Sequence, residues 1–209
     1  MKVTWLGDSA LLFEGERARI LVDPNGAAAA MGADVVLITR DHPLHLCKGA
    51  LQSILEKNPD AVVLASKSAY AALSELCGKY NIVPFTAHSV WSEKNVTFYA
   101  VRAEGADALA VGFIIDDGNR TYYVSGDTLY NYEVLDDVLE LVEDGVDYAF
   151  LPINGRGGAM NAKDAADFAY ELGAAHAIPL YYGEKRGNPD DFDFEEGRIV
   201  LLPGKAAEL

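Results

Sequence analysis

His42 and His45 lie three residues apart in Thr39-Arg40-Asp41-His42-Pro43-Leu44-His45, directly after the apolar run Val35-Val36-Leu37-Ile38. Imidazoles so placed could help hold a divalent cation, but zinc wants about four nitrogen, sulfur or oxygen donors, about three of them from protein when a catalytic water is kept. Two histidines in a loop are, taken alone, more often ordinary polar residues than ligands. Other candidates lie downstream: Asp127 in Ser125-Gly126-Asp127-Thr128, Asn154 and Arg156 in Asn154-Gly155-Arg156-Gly157-Gly158, and Tyr181. The glycine-rich segment reads either as a flexible turn or as an anion clamp. Loops at the carboxyl ends of strands form the mouths of α/β sites, and Arg156 would be a cation in an acidic chain. His88 and His176 have no partner at ligand spacing and read as structural, and Asp23 before Pro24 reads as a turn or sheet-edge residue.

The elements that must position these side chains follow from apolar periodicity. Short strands are predicted over 3–6, 11–14, 19–22 and 35–38, then a helix over 46–56, a strand over 61–65 and a helix over 66–78. A second strand-rich block covers 96–102, 109–116 and 121–125, with Asp117-Gly118 as turn chemistry between the last two. An amphipathic helix over 132–143 is followed by a strand over 147–151, a helix over 162–172 begun by Asn161, and a strand over 177–182. The acidic segment 183–197 reads as an exposed loop, and 198–202 as the closing strand. Strands, alternation, strands, alternation: this order predicts an α/β fold, an αβ/βα four-layer sandwich of two mixed sheets flanked by helices.

The chain has 209 residues, half of them hydrophobic, enough to bury one sizeable core, so a single domain over 1–209 is expected. Seventeen basic against 32 acidic residues give a net charge of -15. Such a surface repels polyanions, so nucleic acid is not an expected partner. The chain opens on a strand rather than a basic segment and an apolar run, and no apolar stretch reaches membrane-spanning length, which predicts a cytoplasmic protein with no membrane partner. Cys47 and Cys77 lie in helix-like segments without ligand spacing and are expected to be buried reduced thiols. Oligomeric state is not encoded legibly.

Several segments together resemble the metallo-β-lactamase superfamily, nearest the branch of ascorbate-6-phosphate lactonase and related metal-dependent hydrolases. They are the opening Met1-to-Ser9 strand and turn, Ile20-Leu21-Val22-Asp23-Pro24, the Thr39–His45 loop, Ser125-Gly126-Asp127-Thr128, Leu151-Pro152-Ile153-Asn154-Gly155-Arg156, and Ile178-Pro179-Leu180-Tyr181-Tyr182-Gly183. The resemblance implies a dinuclear metal centre. It places ligand histidines at positions 40, 42 and 45, an aspartate at 44, a histidine near 104 or 105, a bridging aspartate at 127 and a histidine at 181. This chain has Arg40, Leu44, Glu104-Gly105 and Tyr181 instead, and Asp8 where relatives commonly have a histidine. Only His42, His45 and Asp127 survive as remnant catalytic candidates.

A carboxylate left at the bottom of such a cleft without a cation suffers a desolvation cost of several kcal/mol unless a donor answers it. Arg40 could be that donor, since a guanidinium grips a carboxylate through two parallel hydrogen bonds. The expected reading is therefore a member with most metal ligands replaced and no metal cofactor. It would bind a small metabolite, an anion among the candidates, in a pocket of Asp8, Arg40, His42, His45, Asp127, Asn154, Arg156 and Tyr181. The alternative is a lactone or phosphate-ester hydrolase using a single weakly bound zinc or manganese ion.

Overall fold

A computed structural model describes residues 1–142, 144–183, 186–195 and 197–209. The chain divides into two compact units, residues 1–85 with 201–209 and residues 86–200.

The first unit holds a seven-stranded mixed sheet in the order β13-β1-β2-β3-β4-β5-β6. Its strands are β1 (Lys2–Gly7), β2 (Ala10–Glu14), β3 (Arg19–Val22), β4 (Val35–Ile38), β5 (Val62–Ala65) and β6 (Asn81–Pro84), with β13 (Ala206–Glu208) returning to pair antiparallel with β1. β1 to β3 form an antiparallel meander; β3 to β6 run parallel. β4 and β5 are four-residue strands buried throughout, as expected for parallel strands. Helices α1 (Lys48–Lys57) and α2 (Lys67–Ala72) make the crossovers. Ala50, Leu51, Ile54 and Leu55 form the buried stripe of α1, against Val36, Ile38 and Val63 of the sheet. Each buried leucine or isoleucine there contributes about 1.5–3 kcal/mol relative to exposure.

The second unit holds a six-stranded mixed sheet in the order β12-β11-β10-β9-β8-β7. Its strands are β7 (Val90–Glu93), β8 (Val96–Arg102), β9 (Val111–Asp116), β10 (Thr121–Val124), β11 (Tyr148–Pro152) and β12 (His176–Leu180). β7 to β10 are antiparallel; β10 to β12 are parallel through α3 (Tyr132–Leu139) and α4 (Ala162–Glu171). Asn131 and Asn161 cap these helices, accepting from the backbone N–H of Glu133 and Asp164. Val134, Leu135 and Val138 of α3 and Phe168 of α4 share a core with Tyr123, Ala149 and Leu151.

Two mixed sheets flanked by helices were expected, with differences at the ends of elements. The helix predicted from 46 starts at Lys48, because the N–H groups of His45 and Leu46 both turn back to the His42 carbonyl. The helix predicted over 66–78 is one short helix capped by the Ser66 hydroxyl. Residues 198–202 are not a strand: only Arg198 bridges to Ala177, and the closing strand is Ala206–Glu208. Edge strands β6 and β7 were not predicted. Cys47 and Cys77 are half-buried rather than buried, Cys47 as the N-cap of α1. The predicted end of the third helix at Glu143, and Glu196 of the acidic loop, lie outside the described residues. Among the described residues no helix is long and apolar enough to cross a membrane.

Candidate functional site

In the first unit the site grows from the carboxyl end of β4. Ile38 leads to Thr39, whose N–H donates to Asp23 Oδ1 at 2.8 Å and whose hydroxyl donates to Asp23 Oδ2 at 2.7 Å. Asp23 follows β3 in the left-handed region (φ 46), a conformation that aspartate tolerates better than most residues. His45 Nδ1 lies 2.7 Å from Asp23 Oδ2 and 2.9 Å from the Thr39 hydroxyl. The single Thr39 proton goes to the carboxylate, so the close approach of His45 Nδ1 to Asp23 Oδ2 requires a proton on Nδ1. Asp23, Thr39 and His45 are all completely buried. Sequence reasoning missed Asp23 as a functional residue; the available signal was a residue tolerant of left-handed backbone immediately after a buried strand.

The His42 and His45 rings meet edge-on with centroids 5.9 Å apart. The Ser9 hydroxyl donates to the Leu44 carbonyl at 2.6 Å, tying the turn that carries Asp8 to this loop. Asp8 is itself left-handed (φ 51), with Trp5 Nε1 donating to its carbonyl at 2.8 Å. Arg40 is only 6% exposed, whereas Leu44, at 36%, has no donor atom to offer.

In the second unit Asp127 follows β10 and is 7% exposed. Its neighbour Thr128 is fully buried, and the Thr128 carbonyl accepts the Met160 N–H at 2.9 Å. The Asp127 loop is thereby fastened to the glycine-rich loop after β11. There Gly155, Gly157 and Gly158 take positive φ, Asn154 bridges to Asn161, and Arg156 is exposed. Tyr181, directly after β12, is 2% exposed and left-handed (φ 58). A tyrosine held there is strained by of order 1–3 kcal/mol, a cost that the surrounding structure must offset. Burial pushes the neighbouring Tyr182 hydroxyl above its ordinary pKa.

The expected site residues thus fall into two groups, Asp8, Arg40, His42 and His45 in the first unit and Asp127, Asn154, Arg156 and Tyr181 in the second. Among the described residues no group of three His, Cys, Asp or Glu side chains is disposed to hold a metal ion. The position where the resemblance implies a further histidine is closed: a Cβ on Gly105 would stand 2.5 Å from the Gly158 carbonyl oxygen. Glu104 beside it accepts a hydrogen bond from Asn131 Nδ2.

Two mixed sheets flanked by helices, with polar residues at the ends of β4, β10, β11 and β12, match a metallo-β-lactamase-type fold, and comparison with known proteins agrees. Residues 2–181 match the model of the Beta-lactamase superfamily domain. The chain belongs to this superfamily, in its family of UPF0173 metal-dependent hydrolases, being 30% identical to the member from Korarchaeum cryptofilum over the full length of both. Among solved structures, Igni18, a metallo hydrolase from Ignicoccus hospitalis, superposes with a TM-score of 0.82 at 22% identity, covering 99% of this chain and 97% of that one. The metallo-beta-lactamase fold protein YhfI from Bacillus subtilis gives 0.79 at 18% identity, covering 99% and 98%.

Proposed function

We propose that this chain is a member of the metal-dependent hydrolase family whose site has been converted to binding a small anionic metabolite, of the sugar-phosphate or lactone class, without a metal cofactor. The observation that carries this reading is Arg40, a guanidinium buried to 6% exposure at a position where relatives place a ligand histidine. A permanent cation there repels a metal ion and attracts an anion. Arg40 is proposed to stand in for the charge that a metal would supply, and Asp8, Asp127, Asn154, Arg156 and Tyr181 are the other candidate ligand-binding residues. A net charge of -15 disfavours polyanions as ligands, so a small molecule is the better match.

A second reading is a lactone or phosphate-ester hydrolase with one weakly held zinc or manganese ion, for which His42, His45 and Asp127 are the remnant candidates. Its support is His45, whose Nδ1 is pinned by Asp23 as the outer nitrogen of a ligand imidazole usually is. Metal analysis after expression with added zinc and manganese separates the two. Near-stoichiometric metal that is lost in Asp127→Ala selects the hydrolase. For metal-free protein, a thermal-shift screen against sugar phosphates and lactones tests the first reading, since a ligand selective for the native state raises the melting temperature. Absence of any shift across that screen rejects it.

A further inference from the structure

Two short segments of the second unit hold each other through both backbone and side-chain groups. The Glu104 N–H donates to the Thr128 hydroxyl at 2.9 Å, and the Glu104 carbonyl accepts the Leu129 N–H at 2.7 Å. The Glu104 carboxylate accepts from Asn131 Nδ2. Asn131 cannot turn its amide over, because its Oδ1 caps α3 by accepting the Glu133 N–H at 2.7 Å. Two residues earlier, the Arg102 N–H donates to Asp137 Oδ2 at 2.6 Å, and Arg102 Nη1 donates to Glu133 Oε2. His88 Nε2 lies 3.2 Å from the other Asp137 oxygen. Asp127 sits at the start of the segment so held, and its carbonyl oxygen lies 3.4 Å from where a Gly105 Cβ would be.

In a dinuclear member of the superfamily a bridging aspartate would be fixed by the cations it bridges. Here the residue at the candidate donor position, Glu104, is spent on protein contacts, and its neighbour Gly105 has no room for a side chain. We propose that residues 102–104 and 128–137 form a metal-independent clasp, with Glu104 and Asn131 as positioning residues that hold the Asp127 loop in place without a cation. The inference rests on the metal-free reading of the site. It makes the Asp127 loop preformed, so ligand binding need not order it.

The test is amide hydrogen exchange at Glu104 and Leu129 in the full chain, in EDTA and with zinc alone, since local opening is read directly by exchange. Wild type is expected to exchange equally, within about twofold, in the two conditions. Glu104→Ala and Asn131→Asp should accelerate exchange at Leu129 by about tenfold or more. Asn131→Asp keeps the helix cap but turns a donor toward Glu104 into a repelling carboxylate. Glu104→Gln should behave as wild type, because its amide oxygen still accepts from Asn131, whereas a metal ligand would be lost. The Phe150 amide of β11 reports whether any variant has unfolded globally. The clasp is refuted if zinc strongly protects the wild-type amides, if Glu104→Gln opens as far as Glu104→Ala, or if Asn131→Asp leaves exchange unchanged. Failure of the thermal-shift screen with the exchange pattern intact would reject the ligand-binding reading and leave the clasp standing.

Discussion

Replacement of Asp23 by alanine tests the packing of the candidate site most sharply. Its carboxylate is fully buried and answers three groups, the Thr39 N–H, the Thr39 hydroxyl and His45 Nδ1, at 2.7–2.8 Å. Removing one partner of a buried charged network costs about 3–5 kcal/mol, because the groups left behind stay desolvated. Alanine at φ 46 adds about 1 kcal/mol, having no side chain to relieve a left-handed backbone. The sum, about 4–6 kcal/mol, is a large share of the roughly 5–15 kcal/mol available to a folded domain. In urea, with a slope of about 1–3 kcal/mol per molar, the midpoint should fall by about 1.3 M or more. Asp23→Asn should lose less, about 1–3 kcal/mol, since asparagine accepts the backbone geometry and can still receive the Thr39 N–H. Nitrogen chemical shifts of His45 should move from the Nδ1-protonated pattern in that variant. An Asp23→Ala protein whose midpoint stays within about 0.3 M of wild type would sink the argument that this triad holds the loop.

Other outcomes follow from the same geometry. Gly105→Ala should destabilise by about 1–3 kcal/mol or prevent folding, because its Cβ meets the Gly158 carbonyl at 2.5 Å; a neutral effect on the melting temperature would contradict this. Arg40→His should raise zinc content after metal-supplemented expression with the fold retained, and a protein as metal-poor as wild type would count against Arg40 as the metal's substitute. Burial, reinforced by the Asp137 charge, pushes the Tyr123 hydroxyl well above its ordinary pKa. The folded state therefore keeps this proton when the unfolded state loses it, so stability is lost as pH rises beyond about 10. Tyr123→Phe should shrink that alkaline loss, and it should be near neutral at pH 7, since the buried hydroxyl has no hydrogen-bond partner among the described residues.

What could be read from sequence depended on whether a signal is local. The buried four-residue strands β4 and β5 and the striped helices α1, α3 and α4 announce themselves through composition and period. β13 does not: Ala206, Ala207 and Glu208 have no apolar pattern, and the strand exists because β1 offers an edge to pair with. β7 is similarly half-exposed along its length and is defined by its pairing to β8. His42, His45 and Asp127 are candidates through motif resemblance alone. The partnerships that give them meaning join residues far apart in the chain, Asp23 with His45 and Glu104 with Asn131, and no spacing rule connects these.

The tether from Ser9 reaches the main chain at residue 44 and ignores its side chain. The same is true of the turn from the His42 carbonyl to the next amides, while Asp23 grips residue 39 partly through its backbone N–H. Loop shape is therefore insulated from the identity of positions 40 and 44. A lineage could exchange the chemistry of those two side chains by drift without having to redesign the scaffold beneath them, which makes this loop a place where an old reaction can be surrendered and a new recognition task acquired.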